Sequence, residues 1–324
     1  MMKYPLESCF AERIQGFVDY KHSLGYSYED SYRILWHFDQ FCQDKFPEKQ
    51  ELDREIGLAW LEIRDTEHAS GHRNRIMVVR EFGKYLQSLG ENAYLIPITM
   101  TRKGTRYTPH IFTAQEVKSF FYGADHFAPH DKGPGRHLVI PVFYRLLYCC
   151  GLRPAEARLL LKEDVDLVRG VLYIRESKGH KDRLVPVSGD LLELLRNYWK
   201  RITAVYPDTT VFFPRYDGTA PYTKMWTEEM FWRCFQMAGI THFDDPKPRV
   251  YDFRHTFATD CIYRWMREGK DIDAMLPILS AYMGHARLED TAYYIHMIPD
   301  FYQRTGKVDV TAFEALLPEV PYED

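Results

Sequence analysis

Four separated stretches hold the side chains with chemical potential: CGLRPAEARLL at 150–160, SKGHKDRLVP at 177–186, YDFRHTFATD at 251–260 and YMGHARLEDTAYYIH at 282–296. Each sets cations or titratable groups among apolar, helix-patterned neighbours, where a charge is costly unless it is paired or meets an external anion. Arg153 stands between Gly151-Leu152 and Pro154, a helix-start position where a guanidinium and free backbone N–H groups can converge on one anion. Pairing with Glu156 or Asp164 is the competing reading. Arg254 lies between Phe253 and His255, with Asp252 and Asp260 as the carboxylates that could neutralise it. As a set, two planar guanidinium forks, Lys178 on a polar turn, His285 and a tyrosine make a coherent phosphate-binding group. Tyr293 and Tyr294 are adjacent, and consecutive helical residues point about 100° apart, so at most one of them faces such a site.

These stretches need a scaffold, and the 324-residue length favours two domains. The first hundred residues read as a small helical domain. Phe10, Ile14, Phe17 and Val18 form one amphipathic stripe that Gly25 can close. A second helix is expected from near Ser27 with Ile34, Phe38, Phe41 and Cys42 on its buried side, and two more around 56–64 and 73–89. Residues 101–112 lose the periodicity and carry Arg102, Lys103 and Arg106, as an exposed basic linker would. Thr113 with Glu116 reads as a capping box opening the second domain, 113–324. That domain is mostly helical. Its exception is a β-hairpin in which Gly170 to Arg175 and RLVPVS flank the turn SKGHKD.

Several function classes recede on composition. No run of about 18 apolar residues occurs and the N-terminus lacks a basic-then-apolar leader, so a membrane protein or an exported one is not expected, and a cytoplasmic place is. The six cysteines contain no CxxC pair and mostly fall in apolar helical patterns, which reads as buried free thiols. His110, His137, Cys149 and Cys150 match no common zinc spacing, so no metal is expected. The net charge of −4 argues against a nucleic-acid partner, yet 101–106 and the span Arg169 to Arg183 are strongly basic while the tail PEVPYED is acidic.

The order GLRxxE, a hairpin lysine followed by KDRLVPV, then DFRHTFAT, MGH and TxxYxH resembles the catalytic domain of the tyrosine recombinases, the phage-type integrases. The resemblance covers the whole second domain, and the helical first domain with its basic linker is similar to that family's SAM-like core-binding domain. It implies a mainly α fold with a small β-hairpin or sheet. Position by position, it implies catalytic places for Arg153, Lys178, Arg254 and His285, with Tyr294 as nucleophile and Thr291-x-x-Tyr294-x-His296 fixing the register. Tyr293 then becomes a packing residue. The implied reaction is DNA cleavage and rejoining through a 3′-phosphotyrosyl link, without metal or nucleotide cofactor. The arginines would stabilise the charge that builds on the non-bridging oxygens, and Lys178 would protonate the leaving 5′-oxygen.

Glu156, His255 and His296 take supporting places in this reading: His255 beside Arg254, and His296 ordering the end of the nucleophile's segment or packing there. One departure concerns Tyr251, which stands where the family usually carries a histidine, so a general base is missing, relocated or less important. Lys181 and Arg183 flank the hairpin lysine and, with Arg102, Lys103 and Arg106, are expected to meet DNA phosphates. VTAFEALLP at 310–318 is patterned as a terminal helix that docks on its own domain or on a neighbouring subunit. The implied partners are double-stranded DNA, further copies in a tetramer on DNA, and related recombinase or accessory subunits, as for a mobile-element integrase active in integration or transposition. A type IB topoisomerase-like enzyme and a catalytically silent DNA-binding protein are the alternatives.

Overall fold

A computed structural model describes residues 4–101, 107–130, 133–177, 181–243 and 247–297. The chain divides into two compact units, Met1–Arg106 and Tyr107–Asp324. The terminal segment 310–318 lies outside the described residues.

Among its described residues the first unit holds four α-helices: α1 (Ala11–Ser23), α2 (Glu29–Lys45), α3 (Arg54–Leu61) and α4 (Ala69–Ser88). The stripe Phe10, Ile14, Phe17 and Val18 is buried as its spacing requires, against Phe38, Trp60 and Phe82. Helix α2 buries Leu35, Phe38, Asp39 and Cys42, one residue round from the expected stripe, leaving Ile34 and Phe41 half-exposed. The reason is Asp39. Its carboxylate is fully buried and accepts from Ser8 Oγ at 2.5 Å, Ser8 N at 3.1 Å and Glu7 N at 2.7 Å, tying the N-terminal segment to the helix. Arg75 and Glu67 form a bidentate pair with both bonds at 2.8 Å, and the guanidinium lies 4.7 Å from the Trp60 ring centroid.

The second unit opens with α5 (Ala114–Asp125), and Thr113 and Glu116 make the reciprocal capping box that their spacing predicts. Next come α6 (Arg136–Cys150), the short α7 (Pro154–Arg158) and an antiparallel sheet of β1 (Val165–Asp166), β2 (Val171–Ser177) and β3 (Lys181–Pro186), in the order β1-β2-β3. The expected hairpin is β2–β3, in the register Leu172 to Val185 and Tyr173 to Leu184. Strand β1 has only two residues, too few for an alternating pattern to show. The remaining helices are α8 (Gly189–Val205), α9 (Lys224–Met237), α10 (Asp252–Arg267), α11 (Ile272–Met283) and α12 (Glu289–Ala292).

Helix α6 runs through the centre and buries nine of its residues. Around it an aromatic core gathers Phe112, Phe120, Tyr144, Phe231, Phe235 and Phe253, with the Phe120 and Phe253 ring centroids 4.9 Å apart. Gly123 lets α5 and α9 touch, since a Cβ there would come 1.8 Å from the Cys234 carbonyl oxygen. A second cluster, with Ala258, Ile262, Leu279, Met283 and Tyr294, joins α10, α11 and the segment after α12. This second core positions the candidate site described below, because α10 begins and α11 ends at its residues.

Candidate active site

Helix α6 ends at Gly151, whose φ of +58° is left-handed, and the chain turns sharply into α7 with Arg153 as its N-cap. Helix α11 ends the same way at Gly284, φ +65°, immediately before His285. Two helix ends are thereby brought to one place. Their main-chain oxygens serve as arginine acceptors: Arg254 donates from Nη1 to Gly151 O at 2.7 Å and from Nη2 to Met283 O at 2.6 Å, and Arg153 donates from Nη2 to Gly284 O at 2.9 Å.

Arg254 is fully buried in the first turn of α10. Neither Asp252 nor Asp260 neutralises it: Asp252 accepts from Tyr107 Oη at 2.6 Å and from Arg249 N at 2.7 Å, and Asp260 is influenced by Arg264 instead. Among the described residues no carboxylate lies within ion-pair distance of Arg254, and its Nε is buried without a hydrogen-bond partner. Burial pulls its pKa down, but an arginine stays protonated at any physiological pH, so the site holds a cation aimed at an anion it must obtain from outside.

Arg153 does pair with Glu156, the competing reading of its sequence context, with Nη1 on Oε1 at 2.7 Å and its backbone N on Oε2 at 2.9 Å. The carboxylate is shared. Arg183 donates from Nη1 to Oε1 at 2.9 Å and from Nη2 to Oε2 at 2.7 Å, and from Nε to Tyr282 O at 2.9 Å. Burial opposes the charge on Glu156, yet the two guanidinium groups overcome it and hold its pKa at about 2. Arg183 thus departs from its expected place on an outward, DNA-facing turn. It sits on β3 with its side chain 8% exposed, and its inward course follows from strand alternation opposite a buried carboxylate.

Tyr294 is buried at 3% exposure, while Tyr293 is half-buried. The Tyr294 ring lies 5.5 Å from that of His255 and 6.1 Å from that of His285, centroid to centroid. Burial raises its pKa to about 12, and Arg254 pulls the other way through charge and hydrogen bonding. The resting phenol is therefore neutral. His285 shares a hydrogen bond between Nδ1 and Thr291 Oγ1 at 2.7 Å, and Thr291 is fully buried on α12. Burial, reinforced by Arg254 and Arg153, lowers the His285 pKa to about 4. The pKa of His255 also falls to about 4, first by burial and then by Arg249 and Arg254. At neutral pH both rings are uncharged. The Tyr251 ring lies 5.2 Å from His255, and a cleft of about 970 Å³ opens beside Tyr251 and Arg153, with Arg158, Lys224, Trp232 and Arg249 on its walls.

The structure thus brings Arg153, Glu156, Tyr251, Arg254, His255, His285 and Tyr294 together from α7, α10, the end of α11 and the end of α12. Lys178, Arg102, Lys103 and Arg106 lie outside the described residues, as do the side chains of Lys181 and His296. The inward pairing of Arg183 and the Thr291 bond to His285 were not foreseen. For Thr291 the signal existed, since a threonine six residues after the histidine can return to it across one tight turn; for Arg183 there was none. Among the described residues no three metal-ligating side chains cluster, and no helix is long and apolar enough to cross a membrane.

Comparison with known proteins fits this geometry. The protein y4rE of Sinorhizobium fredii, which goes under the provisional name integrase/recombinase, is 29% identical over 312 residues, covering 94% of each chain. The tyrosine recombinase XerA of Thermococcus kodakarensis is 31% identical over 195 residues, 59% of this chain and 60% of that one. The XerH site-specific recombinase, solved on its difH substrate, superposes with a TM-score of 0.62 at 19% identity, over 82% of this chain and 75% of that one, and so shares the fold. A lambda integrase fragment solved as a dimer on a core site superposes with a TM-score of 0.61 at 14% identity, over 87% and 94%. The profile of the Phage integrase family matches residues 112–299, a span that contains every residue of the site, and this chain belongs to that family.

Proposed function

We propose that this chain is a site-specific DNA recombinase that cuts and rejoins duplex DNA through a covalent bond to Tyr294. The observation that carries the reading is a fully buried Arg254 that has no carboxylate partner among the described residues and lies beside the buried Tyr294, with Arg153 and two neutral histidines around them. In the first step the Tyr294 oxygen attacks phosphorus, its proton leaves to a neighbouring acceptor, and the P–O bond to the 5′-oxygen breaks. The 5′-oxygen takes up a proton, from Lys178 in this reading, and departs as a hydroxyl. Arg153 and Arg254 stabilise the added charge on the non-bridging oxygens, which is where fixed donors in a dry site act most strongly. A 5′-hydroxyl from a second duplex then attacks the phosphotyrosine and releases Tyr294, so bond energy is conserved.

The raised pKa of Tyr294 gives this scheme a condition. With its phenol held at about 12, the tyrosine is activated when a phosphate enters and the proton has somewhere to go; His255 and His285 lie nearest its ring, weak bases while their pKa values stay at about 4 and stronger ones once a phosphate sets its negative charge beside them. The first unit, about 1–100, serves as a core-binding DNA module, residues 101–112 as a basic link and 113–324 as the catalytic domain. XerH and lambda integrase were both solved on DNA, the latter as a dimer, and by that likeness this chain self-associates on paired sites in the cytoplasm.

The test is covalent trapping with nicked duplexes in EDTA, comparing wild type, Tyr294→Phe and Tyr293→Phe. A denaturant-resistant adduct lost in Tyr294→Phe and kept in Tyr293→Phe is expected. The reverse pattern would move the nucleophile by one residue, and relaxed DNA without joined products would replace recombination by topoisomerase action.

A further inference from the structure

The N-terminus of α10 is held by a contact that spans 145 positions of sequence. Asp252, the first residue of that helix, is fully buried and one of its oxygens accepts from Tyr107 Oη at 2.6 Å and from Arg249 N at 2.7 Å. Its other oxygen, Oδ1, is buried without a hydrogen-bond partner, and the nearest cation, Arg249 Nη2, is 4.0 Å away. The Tyr107 phenol is thus the sole side-chain donor that this carboxylate has within hydrogen-bond distance among the described residues. The Arg249 guanidinium covers the Tyr107 ring, its carbon 3.3 Å from the centroid, and the phenol also reaches Lys247 O at 3.4 Å. Asp252 immediately follows Tyr251 and precedes Arg254 by two residues, while the amides of Asp252, Phe253 and Arg254 bond to the carbonyls of Arg249, Val250 and Tyr251. A shift of this turn therefore moves Tyr251 and the root of Arg254 together.

We propose that Tyr107 is a positioning residue for strand cleavage: its hydrogen bond to Asp252, under the cover of Arg249, fixes the first turn of α10 and with it the placement of Tyr251 and Arg254 on the scissile phosphate. The inference rests on the recombinase reading of the site. A carboxylate at a helix N-terminus suits the helix dipole, but it restrains the helix only if something holds the carboxylate itself, and here that is the Tyr107 hydroxyl together with one nearby backbone amide, Arg249 N. Burial pushes the Asp252 pKa up, as it must for a carboxylate so thinly supported. Arg249 also lines the cleft beside Arg153 and Tyr251, so the cover over Tyr107 borders the region that DNA would occupy.

Tyr107→Phe keeps the ring and its arginine cover and removes one oxygen; Tyr122→Phe, at an exposed tyrosine on α5, is the matched control. Two quantities are read on each protein: amide hydrogen exchange of residues 252–254 in the free chain, and single-turnover adduct formation against Kd on a nicked duplex that wild type cleaves. In Tyr107→Phe the three amides are expected to exchange roughly tenfold to a hundredfold faster, the range set by losing one hydrogen bond to a charged group. Cleavage is expected to slow by about the same factor while Kd stays within about twofold. Asp252→Asn should slow cleavage likewise, and the double variant should be no slower than the worse single one. Unchanged exchange and unchanged cleavage in Tyr107→Phe would overturn the proposal and leave the recombinase reading standing. Equal losses in Kd and cleavage would make Tyr107 a general folding residue and overturn it too. Wild type that forms no adduct on any duplex sinks the recombinase reading first, and the positioning role with it.

Discussion

Glu156 offers the sharpest test of how the site is assembled. Its two oxygens accept four hydrogen bonds, two from Arg153 and two from Arg183, and its side chain is 7% exposed. Glu156→Gln keeps the shape but places an amide NH₂ against guanidinium and backbone donors, and leaves two arginines without their shared countercharge. The carboxyl pKa falls from 4.5 to about 2 in the fold, a difference worth about 3 kcal/mol of coupling between its charge and the folded site. Removing one partner of a buried ion pair costs about 3–5 kcal/mol, the same range. The sign with pH follows from the depressed value: the contribution is complete above the unfolded pKa of 4.5 and is lost as pH falls through about 2. Urea unfolding should therefore show Glu156→Gln about 3 kcal/mol less stable than wild type at pH 7, with the gap narrowed by roughly 1 kcal/mol at pH 4. Adduct formation should drop by about 10²-fold, since Arg153 is no longer held. A loss under about 1 kcal/mol at pH 7, or a gap that widens in acid, would refute the claim that Glu156 acts as a buried charge clamp.

Three further outcomes are expected. Gly151→Ala forces a side chain into φ +58° with its Cβ 2.3 Å from Phe257 Cδ1, so urea unfolding should report a loss of roughly 2–4 kcal/mol, whereas Gly25→Ala at φ +85°, with nothing within 4 Å, should lose roughly 1–2. His255 and His285 have folded pKa values of about 4 against an ordinary 6.5, so the unfolded chain binds their protons first and stability should fall as pH drops from about 6.5 to about 4; Asp260, raised to about 6, opposes this between roughly 6 and 3.8, and the double variant His255→Gln/His285→Gln should flatten the descent in urea midpoints. Tyr251→His should speed adduct formation at pH 7, because an imidazole next to Arg153 and His255 supplies a base that a phenol does not; a variant no faster than wild type would mean that base duty lies elsewhere.

What could be read from the chain beforehand divides along a physical line. Local rules reached local structure: the Thr113–Glu116 capping box, the β2–β3 hairpin and the buried stripe of α1 all follow from spacings of four residues or fewer, or from turn chemistry. Ordered motifs likewise singled out Arg153, Arg254, His285 and Tyr294, which the fold brings to one place. Partner choice was hidden wherever it depends on residues far apart in sequence. Asp39 rotated the buried face of α2 because Ser8, 31 positions away, needed an acceptor. Arg183 turned inward for Glu156, 27 positions away, and Asp252 was taken by Tyr107 rather than by its neighbour Arg254. Periodicity states which face of an element is buried. It does not state which charge waits there.

The uncompensated Arg254 has a consequence for how stable this chain is at rest. Held by two carbonyl oxygens that neither titrate nor carry charge, it keeps its full positive charge in the interior, and the free fold tolerates that at a cost. Whatever anion fills the place binds the folded chain and not the unfolded one, so occupancy must raise the unfolding free energy by RT ln(1 + [L]/Kd). Resistance to heat and hold on the substrate are then one quantity seen from two directions. A variant such as Arg254→Met would be expected to gain less stability on adding DNA than wild type does, whose melting climbs as the sites fill.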